Sequence, residues 1–315
     1  MGTKREFTYD SMDGKTKVHA IEWKPEGEEI AGVLQMVHGM TEYIDRYDAF
    51  ARFLTEKGFV VVGHDHLGHG RTAASAEDYG YFHETDGNTM LLADIDRLRK
   101  LTQEQYPDAP YFVLGHSMGS FLIRQYLCIH GEGLAGAVVM GTGAQPMAIL
   151  KLGQMVCKLQ AKISGWRCRS KLVYGMAFGS YNKRFQPART PYDWLTKDTE
   201  IVDAYAASEW CTFRFTLNGY YNLFRSIQQA SLKENLEKMP KELPVLFVSG
   251  AKDPVGNFGK GVEQVRKQFE EAGMKDLTWI LYEDDRHEIL NETDREKVYQ
   301  DIYAWLYVRM QDLIK

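Results

Sequence analysis

The stretch YFVLGHSMGSFLIRQYL, residues 111–127, decides how the rest of the chain is read. Its first part is an apolar run suited to a buried strand, and its last part has the amphipathic pattern of a helix. Between them stands Ser117, framed by Gly115 and Gly119. A G-x-S-x-G segment that ends a strand and opens a helix turns sharply at the serine and holds its hydroxyl above the sheet edge. Side chains at the two glycine positions would collide in so tight a turn. The turn also sets the Met118 backbone N–H at a helix N-terminus, where unpaired donors and the helix dipole favour a negative oxygen. Ser117 is therefore a candidate nucleophile and Met118 a candidate oxyanion donor.

Outward from this turn, β-rich runs alternate with helix-length segments. Residues 18–23, 31–39, 59–65, 136–141, 244–250 and 277–283 join 111–116 as expected strands, several of them apolar throughout. Helices are expected over 44–57, 86–105, 118–130, 258–272 and 291–313. Such alternation implies an α/β fold with a mostly parallel, doubly wound sheet. Roughly 100 residues separate the strand ending near Gly141 from the one starting near Pro244, where a single crossover helix would suffice. The excess is expected to be a helical cap, residues 144–230, inserted into a core made of 1–143 and 231–315.

A serine is a weak nucleophile unless a base takes its proton and a third group orients the base. Asp253 follows the strand VLFVSG, and His287 follows the last strand in LYEDDRHEIL, so both belong to the sheet edge that carries Ser117. The chain order Ser, Asp, His is the one expected of α/β-hydrolases. Asp284 and Asp285 compete for the acid role. They are read as a solvated loop, poorly placed to face a ring two or three positions away. A second oxyanion donor is expected after the strand ending near His38, where Gly39 lets the backbone approach and Met40 offers its N–H.

HGMTEY, HDHLGHGRT (64–72), GHSMG, SGAKDPVG and RHEILNE together resemble the monoacylglycerol lipase and lysophospholipase-like group of α/β-hydrolases. The resemblance covers nearly the whole chain, and the stretch 189–216 is also similar to bacterial members of the group. It implies an HG-x-x-E segment, onto which His38, Gly39 and Glu42 fall, with Tyr43 where many relatives have histidine. The implied activity is a serine carboxylester hydrolase that takes a monoacylglycerol, lysophospholipid or similar small acyl ester through an acyl-enzyme, without cofactor or metal. An aminopeptidase, amidase, thioesterase or acyltransferase could use the same machinery, and a non-catalytic binder would have no need of the triad.

His64, Asp65, His66 and His69 lie within six residues and have metal-ligand chemistry. Serine hydrolysis needs no metal, so hydrogen bonding within a loop is the expected role, and His116 is expected to be a packing residue. The net charge of −5 argues against nucleic acid as a partner. Four cysteines without a C-x-x-C pair read as reduced thiols, and no long apolar run suggests a leader or a span, so a soluble cytoplasmic protein is expected.

Between Met147 and Thr190 there is no acidic residue but nine Lys or Arg. Ile149, Leu152, Val156, Leu159 and Ile163 share a helical face edged by Lys151, Lys158 and Lys162. Two readings follow: an interfacial helix in transient contact with an anionic membrane surface, or, preferred here, a cap helix packed on the core with a solvated basic edge. Trp210, Phe213, Phe215, Tyr220, Tyr221 and Phe224 are expected either to wall an acyl pocket or to form the core of the cap.

Overall fold

A computed structural model describes residues 2–27 and 29–314. The strands are β1 (Thr3–Asp10), β2 (Lys17–Lys24), β3 (Gly32–Val37), β4 (Phe59–His64), β5 (Tyr111–His116), β6 (Gly136–Met140), β7 (Val245–Gly250) and β8 (Leu277–Tyr282). They form one sheet of eight in the order β1-β2-β4-β3-β5-β6-β7-β8. The pairings among β3 to β8 are parallel, whereas β1–β2 and β2–β4 are antiparallel.

The antiparallel β1 was not among the expected strands. Only Tyr9 of its eight residues is buried, so the strand lacks the apolar face that makes a strand legible. Its charged residues suit a sheet edge exposed to solvent.

The helices are α1 (Asp48–Thr55), α2 (Gly87–Gln105), α3 (Met118–His130), α4 (Met147–Ser164), α5 (Lys171–Phe178), α6 (Thr199–Ala207), α7 (Glu209–Thr212), α8 (Leu217–Gln229), α9 (Lys233–Leu236), α10 (Lys260–Glu271) and α11 (Arg295–Ile314). The two-residue period of the strands divides the core between the sheet faces. Leu34, Met36, Phe112, Leu114 and Val138 pack with α1 and α11, and Val33, Val37, Tyr111, Val113 and Val139 pack with α2, α3 and α10. Coverage on both faces is why β3 to β7 are buried along their whole length and mostly apolar. The segment expected as helix 44–57 begins instead as a tight 3-10 turn, Ile44–Tyr47, because Asp65 accepts the Ile44 N–H at 2.8 Å and fixes the entry.

Helices α4 to α9 all lie between β6 and β7. Arg124 of α3 ties both ends of this segment, reaching Thr142 Oγ1 (3.2 Å) and the Gly143 carbonyl (3.0 Å) at one end and the Ala230 carbonyl (3.2 Å) at the other. Burial pushes its guanidinium down to about 10.

Within α4 the buried stripe is Leu150, Gly153 and Cys157. A Cβ at Gly153 would stand 2.8 Å from the Phe224 ring of α8, so the glycine sets the closeness of this packing. The other apolar face is turned outward: Ile149, Leu152, Leu159 and Ile163 are 56%, 42%, 54% and 90% exposed. Hydrophobicity marks two stripes on this helix, and only the small residues of one let α8 approach.

Candidate active site

The C-terminal ends of β3, β5, β6, β7 and β8 share one sheet edge, and the loops leaving them build the site. Ser117 sits at φ 53°, ψ −117°, a conformation rare outside glycine. The turn survives because its surroundings over-determine it. A Cβ at Gly119 would meet the Val37 carbonyl oxygen at 2.0 Å, and one at Gly115 would meet the Gly119 carbonyl oxygen at 2.4 Å, so no side chain fits at either position.

His287 and Asp253 are both buried, with Nδ1 of the ring 2.9 Å from Asp253 Oδ2. The other Asp253 oxygen accepts the Val255 N–H at 2.8 Å. Holding the ring through Nδ1 leaves Nε2 as the nitrogen available for proton transfer. The imidazole lies between His116 (ring centroids 4.7 Å apart) and Trp194 (5.0 Å).

Of the competing carboxylates, Asp284 is exposed and pairs with Lys252 at 2.6 Å. Asp285 departs from the expected solvated loop. It is buried and bonds Lys197 Nζ at 2.8 Å, and desolvation pushes its carboxyl up to about 6 against the pull of that lysine.

The loop after β3 is wired through its side chains. A Cβ at Gly39 would lie 3.0 Å from the Ser117 Cβ, and the Gly39 N–H donates to Glu42. His38 donates from Nδ1 to the Gly39 carbonyl (2.8 Å) and accepts the His66 N–H at Nε2 (3.0 Å). Thr41 also has a positive φ of 52°, with its N–H directed at His69 Nε2 (3.4 Å) and its hydroxyl bonded to Tyr205 (2.8 Å). Met40 and Met118 line the same cavity as Ser117.

His116, expected as a packing residue, is a polar hub. Its Nδ1 lies 3.1 Å from both Glu42 and the Tyr47 hydroxyl, and its Nε2 donates to the His287 carbonyl at 3.2 Å. Burial pushes the Glu42 carboxyl up, but the hydrogen bond and charge of His116, joined by Arg46, outweigh it and hold Glu42 well below the carboxylate range. Burial works against the His116 charge too, yet Glu42 raises it above its ordinary value. Arg46 then clamps Glu288, next to His287, through two bonds of 2.7 and 2.6 Å. Glu42 in the HG-x-x-E segment was the only sequence signal of this network.

The loop histidines bond to one another and to backbone. His64 Nε2 lies 3.1 Å from His66 Nδ1, His66 Nε2 donates to the His38 carbonyl (3.2 Å), and His69 Nδ1 donates to the Leu67 carbonyl (3.1 Å). Desolvation brings His64 and His69 down to about 3, so both are neutral. Asp65 accepts from the Ile44 and Arg71 amides and from His19. Among the described residues, the acidic cluster with cation-binding spacing is instead Asp285, Glu292 and Asp294, and Lys197 Nζ already stands among these carboxylates at 2.8, 3.9 and 3.5 Å.

Ser117 and His287 open into a cavity of about 640 Å³. Ile149, Leu150, Phe178, Trp194, Phe213 and Phe224 give it an apolar wall from the segment between β6 and β7. The aromatic residues in question divide between the two expected roles. Phe213 and Phe224 face the cavity, Phe215 and Tyr220 are fully buried in the core, and Trp210 and Tyr221 pack against Tyr43 and Trp166.

An eight-stranded sheet of this order, with a serine on a strained strand-to-helix turn, defines an α/β-hydrolase. The family profile described as serine aminopeptidase, S33, matches residues 28–294, and the chain belongs to that family. It is 24% identical to a monoacylglycerol lipase of Mycolicibacterium smegmatis over 96% of this chain and 97% of that one. It is 35% identical to the monoglyceride lipase of Rattus norvegicus over 104 residues, covering 31% of this chain and 30% of the relative. A thermostable carboxyl esterase of Bacillus coagulans, solved with glycerol, superposes with a TM-score of 0.89 at 31% identity, covering 98% and 99% of the two chains. The chain is thus a monoacylglycerol lipase-like serine hydrolase.

Proposed function

We propose that this enzyme hydrolyses a monoacylglycerol, lysophospholipid or similar small acyl ester. The observation that carries the reading is a serine on a strained turn, opening into an apolar cavity beside a histidine held by a buried aspartate. Ser117 Oγ attacks the ester carbonyl while His287 Nε2 takes its proton, and Asp253 stabilises the imidazolium. The Met40 and Met118 amides receive the charge on the carbonyl oxygen. The alcohol leaves with the proton from His287. Water, deprotonated by the same imidazole, then releases the fatty acid and restores the serine.

An aminopeptidase reading the α-ammonium of a peptide would need a free carboxylate in this cavity. Among the described residues, the carboxylates lining it are Glu42 and Glu288, and both are engaged by Arg46. The segment 144–230 acts in this proposal as a cap. Its outward apolar face runs from Ile163 to Ile149, which itself lines the cavity, and is edged by exposed Lys151, Lys158 and Lys162. This supports brief contact with an anionic lipid surface through which acyl chains enter. Four free thiols suit the reducing, cytoplasmic setting proposed with it.

Hydrolysis of p-nitrophenyl esters from acetate to palmitate, beside monoacylglycerols, lysophospholipids and aminoacyl amides, tests the reading. Esters should turn over and amides should not, and Ser117→Ala should lower ester turnover about 10⁴-fold or more. Preference for the amides, or ester turnover that survives the substitution, would overturn it.

A further inference from the structure

Among the described residues lining the cavity, Arg214 is the one Lys or Arg. It precedes α8 in a short stretch whose backbone is well anchored. Phe215 next to it is fully buried, Phe213 stacks on Tyr79 at 5.0 Å, and the Arg214 carbonyl accepts a hydrogen bond from Arg169. Its guanidinium lies 5.0 Å from the centre of the Tyr174 ring. Nε is buried without a hydrogen-bond partner, and among the described residues no carboxylate comes within ion-pair distance of the group.

The contrast with neighbouring arginines is chemical. Arg46 has Glu288 and Glu42, Arg124 has carbonyls and hydroxyls at both ends of the insertion, and Arg169 has backbone carbonyls. Arg214 has an aromatic face and an open cavity. A planar cation left with unused donors beside an apolar space is suited to a carboxylate or a phosphate, which it can bind through two parallel hydrogen bonds.

We propose that Arg214 is a specificity-determining residue that selects acyl esters carrying an anionic group, phosphate or carboxylate, over their neutral counterparts. This rests on the hydrolase reading above and narrows it. The neutral part of the substrate would lie along Phe178, Phe213 and Phe224, with the anion on the guanidinium.

Matched pairs separate the two sources of anion. The first pair is 1-lauroylglycerol and 1-lauroylglycerol 3-phosphate, with the charge on the leaving alcohol; the second is p-nitrophenyl pentanoate and the mono-p-nitrophenyl ester of glutarate, with the charge on the acyl chain. Arg214→Met should lower the anionic-to-neutral ratio of kcat/KM in one of the pairs about 10- to 100-fold, the range of a lost charge-assisted hydrogen bond. The loss should fall on KM, and Arg214→Lys should recover part of it. The pair that responds identifies the phosphate or the carboxylate. A ratio that stays the same in both pairs, or an equal loss on charged and neutral members, overturns the proposal.

Binding supplies a readout that does not depend on turnover. In the Ser117→Ala protein, isothermal titration calorimetry measures binding directly, and dodecyl phosphate and dodecanoate should each be tried against dodecanol. At least one anion should bind more tightly than dodecanol, and Arg214→Met should abolish that advantage. Failure of the wild type to cleave any ester would refute the hydrolase reading, whereas equal affinity for anions and alcohol would refute the role of Arg214 alone.

Discussion

On the sheet side of the cavity, polar groups are held by named partners: His287 by Asp253, Glu42 by His116 and Arg46, Glu288 by Arg46, and Gly39 by Glu42. On the opposite side, α4 and α5 turn Leu152, Leu159, Ile163, Leu172 and Met176 to solvent, with basic residues as the charged company. The first surface fixes protons and charges before substrate arrives, which electrostatic catalysis requires. The second presents apolar area, which is non-directional and tolerates substrates of varied length. Substitutions should therefore act on the chemical step in the first region and on access to lipid in the second.

The largest expected effect tests which carboxylate serves the histidine. Asp253→Asn should cost about 10⁴-fold in turnover by favouring the wrong imidazole tautomer. Asp284→Asn, at an exposed surface pair, and Asp285→Asn, bonded to Lys197, should be mild by comparison. The same ester assay ranks all three, and a reversed order would move the acid to the loop before His287.

A smaller effect is expected from the network beneath the loop after β3, the proposed oxyanion site. Glu42→Gln weakens the support of the Gly39 amide, and turnover should fall by about 10²-fold with KM little altered, as for loss of one oxyanion donor. This change should also reshape stability against pH. Because Glu42 raises His116 above its ordinary value, that charged form stabilises the fold below the ordinary value, and its contribution is lost as pH climbs through the raised one. Melting temperature measured across the neutral and alkaline range should lose part of this decline in Glu42→Gln. An unchanged profile would leave the pair without a linked proton.

The mildest test belongs to the exposed face. Changing Lys151, Lys158 and Lys162 together to Gln removes about 1 kcal/mol of attraction per lysine to an anionic surface. Co-sedimentation with phosphatidylglycerol vesicles should weaken, as it should for the wild type at high salt, while turnover of a soluble short-chain ester changes little. If the wild type ignores anionic and zwitterionic vesicles alike, the outward face of α4 serves no membrane, and the contrast between the two regions narrows to rigidity alone.

Local pattern was enough to read the strand and helix at Ser117, the parallel sheet, and the positions of Asp253 and His287 past strand ends, because periodicity and glycine spacing are properties of neighbouring residues. It did not disclose β1, whose side chains are mostly solvated, or that the apolar stripe read along α4 faces outward while Leu150, Gly153 and Cys157 pack inward. Nor could it disclose that His116 meets a carboxylate 74 positions away, that Asp285 is buried against a lysine 88 positions away, or that Arg214 meets no carboxylate among the described residues. Whether a charge is paired, solvated or open to a ligand depends on groups distant in the chain, so that part of the site was decided only when the chain folded.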